Sequence, residues 1–218
     1  MLNVEQARFN MIEQQVRPWD VLDPKVLDLM QAMPREAFVP AGYEGLAYAD
    51  IEVPLGNGEI MLAPRIVGRM LQAVNIDKHD IALEVGTGSG YLTALLAKGC
   101  RKVYSVDIDP AMTDIARKNL EAQGIDNVTL ETGDAALGWD AHAPYDIIVV
   151  TGSMPVLPKI FEKSLNRGGR LVAIVGDAPV MKAVLITRTS DTEWSQEVMF
   201  ETDIKPLRNT PQPQRFAF

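Results

Sequence analysis

From residue 81 onward, short apolar runs alternate with segments of helical period. Ile81–Val85 predicts a buried strand, and beyond a cluster of glycines Tyr91–Lys98 predicts a helix. Val103–Val106 predicts a second strand. Asp109-Pro110 then caps a helix bearing Met112, Ile115, Ala116 and Leu120, and Val128–Leu130 gives a third strand. A fourth strand is expected over Asp146–Val150, then a helix over Leu157–Leu165 that Gly168-Gly169 ends before a strand at Arg170–Val175. Strands alternating with helices imply a mostly parallel sheet covered on both faces, a doubly wound α/β fold. Ala183–Thr189 and Trp194–Thr202 leave no room for a crossover helix, so they predict an antiparallel C-terminal strand pair. The tail from Pro206 to Phe218 reads as an extended arm.

The residues ahead of this core are patterned differently. Asn3 and Gln6 form a capping pair for a helix through about Val16, stopped by Arg17-Pro18. Asp23-Pro24 starts another, with Val26, Leu27, Met30 and Met33 on its apolar face. Pro34, Pro40 and the Gly56-Asn57-Gly58 turn break the next stretch of chain into loops. Pro64 then opens a third helix whose face is Val67, Met70, Leu71 and Val74. No repeat and no long linker interrupts the chain. The expectation is one domain over 1–218, with a helical N-terminal extension over 1–75 and an α/β core with its C-terminal arm over 76–218.

Composition narrows the function classes. The 218 residues are 47% hydrophobic and 23% charged, which excludes wholesale disorder. Lone Cys100 cannot form an internal disulfide, and the opening Met1-Leu2-Asn3-Val4 lacks the basic-then-apolar pattern of a secretory signal. A reducing, cytoplasmic compartment is the expectation. A charge of −8 argues against a nucleic-acid partner, and apolar runs such as Ile147–Val150 are too short to cross a membrane. His79 and His142 stand in polar loops, and two His with one Cys make no metal-ligand pattern.

The stretch Glu84-Val85-Gly86-Thr87-Gly88-Ser89-Gly90-Tyr91 carries the chemistry. Glycines directly after a buried strand let the backbone turn tightly and approach a ligand. The spacing is G-x-G-x-G and not the G-x-G-x-x-G of a dinucleotide fingerprint. Glu84, two residues before the first glycine, suits a ligand with positive charge better than a pyrophosphate. S-adenosylmethionine carries an ammonium and a sulfonium and no phosphate. Asp107 ends the second strand, where nucleotide-binding folds place an acid on ribose hydroxyls. Gly133-Asp134-Ala135 follows the third strand, where an acid can accept from an adenine amino group. Ser89 is no nucleophile-elbow serine, since glycine holds the centre of Gly86–Gly90.

Glu84–Gly90, Asp107 and Gly133-Asp134 resemble the S-adenosylmethionine site of class I methyltransferases, whose fold is Rossmann-like. Much of the chain, from about residue 20 to residue 176, is similar to the protein-L-isoaspartate O-methyltransferase family. The matching segments include Asp23–Leu27, Met33-Pro34-Arg35-Glu36-Ala37-Phe38-Val39-Pro40, Tyr48-Ala49-Asp50, Gly138-Trp139, Ala143–Asp146 with Val150-Thr151, and Gly168–Val172. The resemblance implies S-adenosylmethionine as cofactor and the isoaspartyl carboxylate of damaged proteins as acceptor. Its cofactor-binding residues here would be Met61, Leu62, Pro64, Glu84, Gly86, Thr87, Gly88, Gly90, Asp107, Ile108, Gly133, Asp134, Ala135 and Thr151.

One departure bears on the acceptor. After its Gly-x-Gly turn the family typically has Gln-Thr-Ile-Ser-x-Pro, with the serine contacting substrate. Here Glu59, Ile60 and Leu62 stand for glutamine, threonine and serine, so the catalytic position is occupied by Leu62. Gly152-Ser153-Met154 also departs from the family's alanine-rich run. These changes keep two alternatives open: another protein or small-molecule acceptor, or an S-adenosylmethionine-binding module without catalysis.

Overall fold

A computed structural model describes residues 3–213. The apolar runs become the centre of a seven-stranded sheet: β3 (Ile81–Val85), β4 (Lys102–Asp107), β5 (Val128–Thr132), β6 (Tyr145–Met154), β7 (Leu165–Val175), β8 (Met181–Arg188) and β9 (Trp194–Thr202). Their order is β5-β4-β3-β6-β7-β8-β9, parallel through β7 and antiparallel at β7–β8 and β8–β9. The mostly parallel sheet with its antiparallel C-terminal pair is thus as the alternating pattern predicts. The chain winds outward from β3 through β4 to β5, then returns to β6 on the other side. That reversal opens a crevice at the carboxyl ends of β3 and β6, the usual ligand position in such sheets.

Alternate residues of the central strands feed two cores. Ile147 and Val149 of β6 join the larger cluster, which also holds Met11, Val16, Met30 and Met70, whereas Ile148 and Val150 join Leu83, Leu171 and Phe161 on the opposite face. Five helices, α1 (Val4–Met11), α2 (Pro24–Ala32), α3 (Pro64–Val74), α4 (Tyr91–Gly99) and α5 (Pro110–Ala122), carry side chains of the larger cluster. Asn3 accepts from the Gln6 amide and Asp23 from the Lys25 amide, so both predicted caps are present. The first helix widens into a π turn over Ile12–Val16 and tightens to a 3₁₀ turn over Arg17–Trp19 before Asp20 reverses it at φ 58°. Helix α5 (Pro110–Ala122) is capped by Asp109, in agreement with the sequence pattern.

Three segments differ from their expectations. The chain around Gly56-Asn57-Gly58 is a hairpin, β1 (Val53–Gly56) and β2 (Glu59–Met61), whose turn residues all take positive φ. Too few residues alternate there for a period-2 signal. Helix α6 covers only Lys159–Lys163, starting after Pro158. Gly168 and Gly169 end no helix: they lie within β7, where Tyr145 pairs with Leu165 but Ile147 with Arg170. The intervening residues bulge, and a Cβ on Gly169 would meet the Tyr145 carbonyl oxygen at 3.0 Å.

Candidate active site

The carboxyl ends of β3, β4, β5 and β6 line one cavity with the β1–β2 hairpin and the chain after β9. Glu84 lies in β3 and is fully buried. Its Oε2 accepts from Ser105 Oγ at 2.7 Å and from Thr93 Oγ1. Because Ser105 spends its proton on Glu84, Thr87 Oγ1 donates to Ser105 Oγ at 2.7 Å, which ties the glycine turn to the acid. Glu84 Oε1 has no hydrogen-bond partner among the described residues. Burial, reinforced by the nearby Asp107 charge and opposed by the Thr93 and Ser105 hydroxyls, pushes the Glu84 carboxyl up to about 8. Such a group is incomplete until a cation or donor reaches it.

The glycine turn is held from both sides. Gly86 has φ +94° and donates to the Val106 carbonyl at 2.8 Å. Thr151 Oγ1 shares its proton between the carbonyl oxygens of Val85 and Gly86, at 2.9 and 2.8 Å. Asp107 Oδ2 accepts from the Gly88 amide and Oδ1 from the Asp109 amide, each at 2.9 Å. Burial raises the Asp107 carboxyl above its ordinary range, against the pull of those two amides. Each oxygen keeps a second lone pair for a ligand. Asp134 Oδ1 accepts from the Ala136 amide at 3.0 Å, while Oδ2 accepts from Asn209 Nδ2 at 2.8 Å. A Cβ on Gly133 would collide with the Trp139 ring, which packs behind this turn.

Met61, Leu62, Glu84, Gly86, Thr87, Gly88, Asp107, Ile108, Gly133, Asp134, Ala135 and Thr151 all line this cavity. Pro64 and Gly90 do not. Pro64 is the first residue of α3, and Gly90 precedes α4 at φ +84°, where a Cβ would stand 3.1 Å from Ala116 Cβ. Leu62 is buried beside the hairpin, and its carbonyl accepts from Arg35 Nη2 at 2.8 Å. Arg35 is itself fully buried, donates also to the Ala47 carbonyl at 2.7 Å, and lies 4.9 Å over the Tyr91 ring. It has no acidic partner within salt-bridge distance among the described residues, and burial lowers its pKa. The Pro-Arg-x-x-Phe-Val-Pro segment therefore fixes the backbone on which Leu62 stands.

Sequence reasoning missed the cavity's roof. Lys205, Pro206, Leu207 and Arg208 cross the mouth, with the Leu207 amide donating to the Ser153 carbonyl at 2.9 Å and the Ser153 amide to the Lys205 carbonyl at 3.0 Å. Gly152 is glycine because a Cβ there would lie 2.8 Å from Leu207 Cγ. The departure at Gly152-Ser153 was the available signal, since it marks the landing place of the arm. The arm's last residues, 214–218, lie outside the described structure. His79 is exposed, whereas His142 is partly buried in its turn, stacked on Tyr104 at 3.9 Å and 3.0 Å from Glu131. The Cys100 thiol is buried and pushed up to about 12, and no group of three potential metal ligands occurs among the described residues. None of the described helices is long and apolar enough to cross a membrane.

This strand order, with a glycine turn at its switch point, an acid ending β4 and a second acid just beyond β5, is that of the class I methyltransferase fold. Two solved structures share the fold: a protein-L-isoaspartate O-methyltransferase (TM-score 0.78, 24% identity, 93% of this chain and 65% of that one) and a Plasmodium falciparum protein of the same description in complex with S-adenosyl-L-homocysteine (TM-score 0.80, 19% identity, 96% and 100%). The chain belongs to the protein-L-isoaspartate(D-aspartate) O-methyltransferase family, whose model matches residues 6–210. Relatives named protein-L-isoaspartate O-methyltransferase include one from Magnetococcus marinus, 39% identical over 85% of this chain and 81% of the relative. Another, from Methanoculleus marisnigri, is 43% identical over 78% and 77%.

Proposed function

We propose that this chain is an S-adenosylmethionine-dependent O-methyltransferase that esterifies the isoaspartyl carboxylate of damaged proteins. The observation that supports it most is Glu84: a buried acid, lining the cavity, with one carboxylate oxygen left without a partner among the described residues. A ligand ammonium beside that oxygen would satisfy it and favour the ionised acid. The glycine turn presents bare backbone to the cavity, and side chains at Gly86 or Gly88 would press on Thr151 and Leu55.

Bound there, S-adenosylmethionine supplies a methyl group on a positively charged sulfur to a nucleophilic oxygen. Glu84 would accept from the ammonium at Oε1, Asp107 would take the ribose hydroxyls on its free lone pairs, and Asp134 would take the adenine amino group. Met61 and Leu62 form the wall on the acceptor side. An isoaspartyl carboxyl is already ionised at neutral pH, so no side chain has to remove a proton. What the chain contributes is alignment and exclusion of water, served by the apolar wall and the roof of residues 205–208.

The test is transfer of labelled methyl to an isoaspartyl peptide with the aspartyl isomer as control. Incorporation into the first alone is expected; none into either, with cofactor saturating, overturns the acceptor. Leu62 carries a second reading, in which fold and cofactor stay and the acceptor is less polar. A branched alkyl group there offers no hydrogen bond to a carboxylate. Turnover of a neutral acceptor together with silence toward isoaspartyl peptides would select that reading.

A further inference from the structure

Glu59 is a partly buried acid that bonds two cations from a distant part of the chain. It begins β2, at the tip of the hairpin, and lines the cavity mouth. Lys205 Nζ lies 2.8 Å from Glu59 Oε2 and donates to the Gly58 carbonyl at 2.8 Å. Arg208 Nη2 pairs with Glu59 Oε1 and stands 3.9 Å from Asp109. One acid thus holds two cations that sit either side of Leu207, the side chain pressed onto Gly152. Burial works to raise the Glu59 carboxyl, but the hydrogen bonds and charges of Lys205 and Arg208 together bring it below its ordinary range.

We propose that Glu59 is a positioning residue that clamps the segment Lys205–Arg208 over the cavity, so that a nucleoside enters and leaves by breaking the Glu59 pairs. The inference rests on the proposed cofactor of the same cavity. The cavity's roof is a length of chain without regular secondary structure, joined to the sheet through Ser153 and to the hairpin through Glu59. Ser153 is fully buried and holds the strap by its amide, its carbonyl and its hydroxyl, which donates to the Ile204 carbonyl at 3.0 Å. The Glu59 contacts lie at the mouth, are partly exposed, and are the ones solvent ions can compete for. Glutamine at this position could keep a hydrogen bond but would lose both charge pairs. The hairpin that presents Leu62 to the acceptor is thereby tied to the segment that covers the cofactor, so opening one loosens the other.

The experiment is stopped-flow release of S-adenosylhomocysteine from the full chain, read by tryptophan emission, with Glu59→Gln, Glu59→Asp and Arg208→Met compared at low and high salt. Melting temperatures are recorded alongside. Glu59→Gln is expected to release the nucleoside about five- to tenfold faster, the range two partly exposed pairs can supply. Salt should speed release from the native chain and leave the Glu59→Gln rate flat, with Glu59→Asp recovering part of the native rate. A merely structural Glu59 would lower the melting temperature without moving the rate or its salt response. Tight binding with unchanged rates in Glu59→Gln and Arg208→Met overturns the clamp. Absence of binding by the native chain overturns the cofactor reading itself and the clamp with it.

Discussion

Thr151 and Gly86 interlock across neighbouring strands: the threonine hydroxyl bonds the Gly86 carbonyl at 2.8 Å and fills the space a Cβ on Gly86 would need. With φ at +94°, Gly86 is excluded from substitution twice over. Gly86→Ala should cost about 2–4 kcal/mol of stability and abolish nucleoside binding, checked by denaturant melts and calorimetry. Adding Thr151→Ala removes the collision but not the backbone strain. The double variant should regain part of the stability and none of the binding. Full recovery of both would mean that the turn tolerates a side chain.

Glu84 makes the stability of the fold depend on pH. Its folded-state value of about 8 lies above the ordinary 4.5, so the folded chain holds a proton that the unfolded chain has released across that window. Its contribution to stability is full below about pH 4.5 and is lost as pH rises through about 8. Glu84→Gln removes this loss. The variant should melt like the native protein near pH 5 and several degrees higher near pH 9, on the order of 1 kcal/mol or more. It should also bind S-adenosylmethionine at least tenfold more weakly. A native chain that melts identically at both pH values while the variant does the same would show that the buried acid is not proton-linked.

Leu62→Ser places a hydroxyl on the cavity wall proposed to face the acceptor. If the acceptor is an isoaspartyl carboxylate, kcat/KM for the labelled-methyl assay should rise by up to about tenfold, the worth of one hydrogen bond to a charged group. The loss of a buried leucine should lower stability by roughly 2–3 kcal/mol. A fall in activity would say that the native wall is fitted to a less polar acceptor.

Asp107→Ala strips the partners from two amides, those of Gly88 and Asp109. We expect a loss of about 2–4 kcal/mol in stability and a drop in nucleoside affinity beyond detection by calorimetry. Asp109→Ala, which leaves the Gly88 contact in place, should bind at least tenfold better than Asp107→Ala. Equal losses in the two variants would deny Asp107 its place in the site.

The strand–glycine–helix unit at 81–99 was plain in the sequence because burial on both faces gives unbroken apolar runs and the turn demands glycine. The same holds for the acids at 107 and 134, which sit at fixed places relative to strands. Residues 205–209 carried no such mark. They have no period, and their position follows from Ser153 and Glu59, more than 50 and 140 residues earlier in the chain. The short hairpin at 53–61 failed for a related reason: its partners are each other and the loop beneath, not a repeating face. Gly168-Gly169 reads as a helix end by local rules, yet tertiary pairing carries β7 through it as a bulge. Local pattern thus located the site's floor, and long-range contacts alone built its roof.

The β8–β9 pair settles where the segment after Thr202 emerges. β8 descends from the ligand edge of the sheet and β9 climbs back, so that Thr202 pairs with Met181 beside the end of β7. Two added strands return the tail to the edge it left, where one would have delivered it to the far side. Parity in the strand count is what brings the segment Lys205–Arg208 within reach of the crevice.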